Sequence, residues 1–212
     1  MARKSLAEIR RAELADAAYQ ALSRHGLKGT TLAAVAQISG ISRTSALHYF
    51  SSKDALLEAA MRTANRVLHK EALHLLRVAE TPWERIYAVI EANLSPTSFN
   101  PQVSHAWVAL CSEVPRNAIY QRIQTAIYRR HWVNIHSAFA RIEMGSKAQD
   151  ATMMLITLID GLWLRCGLQP GGLARETADA QIEFSLNAAF GSDPNRKAAR
   201  ERMKAAAQML VL

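Results

Sequence analysis

The sequence predicts an all-α fold, and three observations carry that prediction. Apolar residues recur at spacings of three and four through almost every stretch between breaks, the period of an amphipathic helix. No run alternates polar and apolar residues over several segments, as half-buried strands would. Glycines, prolines and small hydroxyl or acidic residues cut the chain into pieces of helical length. At 212 residues, 50% of them hydrophobic, the chain can bury a sizeable core, which excludes a disordered polypeptide.

The elements follow in order. Leu14, Ala17, Ala18, Ala21 and Leu22 form the apolar face of a first helix that ends at Gly26. Thr30 or Thr31 caps a second helix with Leu32, Val35, Ala36 and Ile38 as its apolar positions, and Gly40 breaks it. Ser42 caps a short third helix that runs to about Tyr49. Ser51 or Ser52 caps a long fourth helix, with Asp54 near its positive end. Pro82, Pro96, Pro101, Pro115 and the Pro170-Gly171-Gly172 cluster place later helices over residues 83–95, 102–113, 116–142, 147–168 and 174–190. Asp193-Pro194 reads as the N-cap and first turn of one more basic helix, with Met203, Ala207, Leu210 and Val211 on one face.

The net charge is +8, and it is uneven. Residues 1–50 hold seven Lys/Arg against three Asp/Glu, residues 51–190 fourteen against thirteen, and residues 191–212 five against two. A basic head, a near-neutral body and a basic tail suit a nucleic-acid reader joined to a second module. The two cysteines, Cys111 and Cys166, are far apart and read as reduced, buried small hydrophobes. The polar, charged N-terminus lacks a signal-peptide pattern. The apolar run Met153–Leu164 is shorter than the roughly 20 residues a bilayer takes, and Asp160 interrupts it. These features predict a cytoplasmic protein without membrane partners.

Enzyme motifs are missing. There is no GxSxG, GxxxxGK[ST] or GxGxxG. His69–His74 and His131–His136 are i, i+5 pairs that do not share a helix face, so neither forms a zinc site. No catalytic residue, metal site or cofactor is expected.

Two short helices around a glycine turn, packed on a longer first helix, make a helix-turn-helix. Its second helix enters the major groove, so its first residues should be short and able to hydrogen-bond. Arg43 can bind guanine bidentately or pair with a phosphate, and Ser42, Thr44 and Ser45 can reach base edges or phosphates. His48 and Tyr49 lie at the far end, where backbone contact is expected; Lys53 and Thr31 complete the candidate DNA-contact set. Leu47 and Phe50 are expected to tie this helix to the head, and Arg3 and Lys4 to form a flexible arm before it.

The stretch TTLAAVAQISGISRTSALHYFSSKDALLEAA resembles the DNA-binding signature of the TetR family of bacterial repressors over residues 10–60. Two positions depart from that pattern: Thr44 stands where glycine is usual, and Leu47 where tyrosine is usual. The resemblance implies a homodimer that binds a near-palindromic double-stranded DNA operator, with recognition helices about 34 Å apart.

In the body, Tyr120, Ile123, Ile127, Tyr128, His131, Trp132, Asn134, Ile135, Ala138, Phe139 and Ile142 share one half of a helix. His131 and Asn134 are polar within that face, so they either pair in the core or line a cavity. The segment MMLITLIDGLWLRCG is apolar around nearly its whole circumference and is expected to be buried on several sides, except at Asp160, which needs a cation or a donor. Asp160 and Trp163, with Trp107, Trp132 and Tyr128, supply the parts of an aromatic cage with a counter-charge, the chemistry that holds quaternary ammonium ions. The alternative is an Asp160 that hydrogen-bonds a neighbouring helix or pairs with Arg165 or His131. LIDGLWLR, HAWVAL and HYF resemble the BetI branch of the same family, the choline-responsive repressors, which makes choline or a related cation the first small-molecule effector to test.

The expected organisation is a helix-turn-helix DNA-binding domain over residues 1–52, a helical ligand-binding and dimerisation domain over 53–190, and a basic tail or helix over 191–212. By the same resemblance the helices at 147–168 and 174–190 form the dimer interface, and the fourth helix is the lever between modules. A ligand-responsive repressor is the expected function; a DNA-binding regulator or architectural protein with no small-molecule inducer is the alternative.

Overall fold

The computed structural model of the chain describes residues 5–143 and 145–210. Among the described residues it is a succession of ten α-helices and one short 3-10 turn, with no strand. Arg3, Lys4 and Val211 lie outside the described residues. Two compact units emerge: one comprises Met1–Arg66 with His105–Ile123, the other Val67–Ser104 with Gln124–Leu212. The helices α4 (Lys53–Val78), α6 (Pro101–Glu113) and α7 (Ala118–Phe139) each contribute to both.

In the first unit, α1 (Leu6–Gly29) starts with a capping box: the Ser5 hydroxyl accepts from Glu8 N, and Glu8 accepts from Ser5 N. Its backbone breaks at Gly26, where φ is +65°, so residues 27–29 follow a kink rather than continue the helix. Leu14, Ala17, Ala18, Ala21 and Leu22 are buried, as their spacing predicts. Thr31 caps α2 (Leu32–Ser39), and Thr30 instead donates to the Gly26 carbonyl. Gly40 closes α2 in the left-handed region, with Ile41 N bonded to Ala36 O, and Ser42 then caps α3 (Arg43–Tyr49). Ser52 rather than Ser51 caps α4. The Tyr120 hydroxyl donates to the Asp54 carbonyl at the start of α4; burial, and then the nearby Asp54, Glu113 and Glu58 charges, push its pKa up to about 12.

In the second unit, α5 (Pro82–Asn93) has proline at its first turn and a Thr81–Glu84 capping box. It packs against α10 (Pro194–Gln208), so the basic stretch after residue 191 is a docked helix. Three rings, Trp83, Phe139 and Phe190, form a cluster with centroids 5.2–6.1 Å apart. Charges hold α10 around it. Arg196, 4% exposed, lies 5.7 Å over the Trp83 ring, donates to Asn187 and the Gly191 carbonyl, and faces Glu183. Arg200 also faces Glu183, Arg202 pairs with Glu80 and Glu84, and Lys204 faces Asp179. The Asp193 carboxylate caps α10 and accepts the Trp83 indole N–H at 2.9 Å.

The helix α8 (Ser146–Leu168) is long and apolar enough, by length and composition, to cross a membrane. Leu155, Ile159, Leu162, Trp163 and Cys166 are nevertheless buried within its unit, as in a core helix. Its own chain covers only part of its circumference, and the sides expected at a dimer interface are uncovered in the single chain. Met153, Leu164 and Leu168 are 54%, 45% and 60% exposed, because α9 (Arg175–Phe190) covers only part of the remaining surface.

Removing a buried cation that carries several partners leaves those partners unpaired in the core. Arg196→Ala should therefore lower unfolding stability by about 3 kcal/mol, read as a reduced urea midpoint.

Candidate DNA-contact face and effector site

The geometry of the head fixes which side chains of α3 are free. The Ser42 hydroxyl accepts from Ser45 N at 3.0 Å and lies 2.8 Å from the Ser45 hydroxyl, so these two groups cap the helix and bond each other. Arg43, Thr44 and His48 are exposed, and Ser45 and Tyr49 are half-buried. Thr31, whose hydroxyl caps α2 at 3.2 Å, and Lys53, the first residue of α4, are exposed as well. The face is basic and hydroxyl-rich, without an acidic residue in α3. The proposed anchoring of α3 by Leu47 is corrected: Leu47 is 46% exposed, and Ala46 and Phe50 do the anchoring at 0% and 1%. At about 100° per residue Leu47 falls between Arg43 and Thr44, a relation the sequence already contained.

In the second unit the Tyr128 hydroxyl is hydrogen-bonded to the Asp160 carboxylate, joining α7 to α8. Burial raises the Asp160 pKa and the Tyr128 bond partly offsets it. This is the neighbouring-helix partner that the sequence left open. His131 is half-buried; desolvation, helped by the charge of Arg130, pulls its pKa down to about 4, so the ring is neutral near pH 7. Trp132 is half-buried and stacks on His136 with centroids 5.4 Å apart. Trp163 is buried, donates its N–H to the Asn93 carbonyl at 3.0 Å, and meets Phe99 edge-on at 6.2 Å. Asn134 is half-buried. Trp107, also half-buried, belongs to the first unit.

Three further polar groups escaped the sequence reading. Ser104 Oγ, Gln124 Oε1 and Glu71 Oε2 are buried without a hydrogen-bond partner, while Glu71 Oε1 accepts from Thr97 at 2.5 Å. A buried acceptor left unpaired costs about 1–3 kcal/mol, which marks these side chains as candidates to meet a ligand. No motif encodes them, since their burial depends on packing between distant segments. Along α8 and α9 runs a groove of about 1270 Å³ lined by Met153, Leu158, Leu162, Leu164, Thr177 and Gln181, among others.

A helix-turn-helix with a polar, basic reading face, joined to a larger helical unit, defines a transcriptional regulator. Similarity to known proteins sharpens this. Residues 14–60 match the bacterial regulatory proteins of the tetR family, and residues 82–191 match the C-terminal domain of BetI-type transcriptional repressors. The HTH-type transcriptional regulator BetI of Burkholderia thailandensis is 39% identical over 172 residues, covering 81% of this chain and 88% of that protein. The BetI of Burkholderia lata is 38% identical over 180 residues, covering 84% and 92%. The chain belongs to the TetR family, among its BetI-type transcriptional repressors, and these are regulators rather than enzymes. A putative transcriptional regulator of Saccharomonospora viridis, solved in complex with choline, shares the fold at a TM-score of 0.74 and 17% identity, over 85% of this chain and 96% of that one. A putative regulator of Pseudomonas aeruginosa shares it at 0.70 and 24%, over 92% and 94%.

The depressed pKa of His131 has a defined consequence. An unfolded histidine titrates near 6.5, so between about pH 6.5 and 4 the unfolded chain binds more protons, and stability falls as pH falls through that window, by up to about 3 kcal/mol. Asp160, with its raised pKa, acts in the opposite sense. Denaturant midpoints measured from pH 7 to 4.5 should decline less steeply in His131→Gln than in the parent chain.

Proposed function

We propose that this chain is a homodimeric repressor that leaves a near-palindromic operator when a small cationic effector binds its body, with choline or a related cation the first to test. In this reading residues 1–52 bind DNA, residues 53–190 bind effector and dimerise, and the helix over 194–208 braces the body. Arg43 and Thr44 face the major groove, Ser42 and Ser45 shape the start of the reading helix, and Thr31, His48, Tyr49 and Lys53 meet the backbone.

The observation that carries the effector reading is the pairing of Tyr128 with Asp160, with a neutral His131 three residues further along the same helix as Tyr128. A partly buried carboxylate with no cationic partner of its own in the cage is a counter-charge for a bound cation, and Trp132 and Trp163 offer ring faces for cation–π contact. Asn134 lies on the same helix as Tyr128 and His131 and can orient a ligand hydroxyl. The choline found in the Saccharomonospora neighbour supports the same ligand class. The second reading, regulation without a small molecule, is favoured by Trp163, whose N–H is already satisfied by Asn93.

Dimerisation is supported by the exposed apolar surface of α8 and α9, where Met153, Leu164, Leu168 and Phe184 meet water. An effector shifts a two-state dimer only by its differential affinity, typically about 1–3 kcal/mol, and α4 is the proposed lever. A compartment with access to chromosomal DNA, the cytoplasm, follows from this role.

Operators should be selected from random DNA with and without choline, betaine aldehyde and polyamines. A near-palindrome is expected, with affinity falling about a thousandfold between 50 and 200 mM salt. Choline should raise the melting temperature and release the DNA; no response to any cation would remove the cage. Phe184→Glu should convert the dimer to monomer in analytical ultracentrifugation and abolish operator binding at the same protein concentration.

A further inference from the structure

Leu47 is an isobutyl group in the middle of a polar reading face. It is 46% exposed, while Ala46 and Phe50, the other apolar residues around it, are sealed in the head. At about 100° per residue it lies about 40° from Arg43, about 60° from Thr44 and about 100° from His48, so all four side chains occupy one side of α3. The opposite side is fixed by burial of Ala46 and by the Ser42 cap, so α3 cannot rotate Leu47 inward without exposing its anchors.

In a helix-turn-helix regulator this is the side that enters the major groove. The groove edge of a base pair presents donors and acceptors, and one apolar group, the thymine C5-methyl. A leucine has nothing to offer guanine O6 or cytosine N4. Placed against them it would strip water from a polar edge and return no hydrogen bond, which is unfavourable. Placed against a thymine methyl, it buries apolar surface on both partners. Arg43 on one flank suits guanine, and Thr44 on the other can hydrogen-bond either edge, so the three positions divide polar and apolar readout between them.

We propose that Leu47 is a specificity-determining residue that reads a thymine C5-methyl in each half-site of the operator. The proposal rests on the assignment of the exposed α3 face to DNA. It predicts that the operator carries a thymine next to the base read by Arg43, and that the contact depends on one methyl group.

The test uses the full chain and its selected operator, with each thymine replaced in turn by deoxyuridine, which removes that methyl and leaves every donor and acceptor in place. At one thymine per half-site the replacement should weaken binding about fourfold, and about fifteenfold when made in both half-sites. Leu47→Ala should still bind DNA with the parent salt dependence but lose the thymine–deoxyuridine difference. Thr44→Ser, which removes the other methyl on this face, should keep it. Circular dichroism on each variant confirms a folded head, as expected for a change at an exposed position. The proposal is overturned if no thymine shows the effect, if the effect survives in Leu47→Ala, or if it disappears in Thr44→Ser. Failure to select any operator would overturn the DNA assignment as well, and is told apart because binding itself is then absent.

Discussion

A helix of seven residues does not hold itself in water; nucleation costs more than so few hydrogen bonds return. The reading helix α3 therefore exists only because the head supports it at both ends and along one side. The Ser42 hydroxyl satisfies the Ser45 amide at its start, and Phe50, 1% exposed, closes its end beneath the Arg11 guanidinium at 5.5 Å. Ala46 is the one α3 side chain buried between, small enough to let α3 approach α2 closely. Gly40 makes the turn that permits that approach, at a left-handed φ of +69° that a side chain would strain. What remains of α3, the side carrying Arg43, Thr44, Leu47 and His48, is exposed because the rest is committed. Those residues are what the head leaves free for a partner.

In the body, charge rather than apolar burial does much of the positioning. The Arg196 guanidinium is buried among Trp83, Asn187 and Glu183, and Arg175 reaches Glu91, whose pKa burial raises and Arg175 counteracts. Each ion is tolerable only with its partner in place, since an unpaired buried charge costs several kcal/mol. The geometry of α5, α9 and α10 is therefore specified by matched pairs, and it resists small displacements. The proposed effector site differs in kind. Asp160 has a tyrosine hydroxyl instead of a cation, and burial pushes its pKa up while it holds His131 neutral. The bracing of the body is not complete: among the described residues Arg175 Nε and the Arg196 Nε and Nη1 atoms are buried without a hydrogen-bond partner, as are Ser104 Oγ, Gln124 Oε1 and Glu71 Oε2.

The exposed apolar surface of α8 and α9 fits the same division. Circumferential hydrophobicity of α8 reads, from sequence alone, as burial on several sides, with a core on one and a dimer partner on another. In the single chain Met153, Leu164 and Leu168 face water. The periodicity counts how many sides are apolar, and it does not say whether the same chain or another copy covers them.

Most of the fold was legible because it depends on short-range chemistry. Helix positions follow from three- and four-residue apolar spacing. Their ends follow from Ser42, Gly40, Pro82 and Asp193, each acting on backbone groups within four residues of itself. The role of α3 was legible for the same reason, and the exposure of Leu47 was recoverable from its angular position. The candidate effector site was legible only as a parts list. Which partner Asp160 takes, that Trp163 spends its N–H on Asn93, that Ser104 and Gln124 are sealed without partners, and that the basic stretch after residue 191 docks on α5 all depend on residues tens of positions apart. The sequence by itself determined the helices, their caps and the polarity of the reading face, because those are set by neighbours along the chain. Only the tertiary structure decided which charges are satisfied and which apolar faces stay open, because burial and pairing are properties of packed surfaces that no local pattern records.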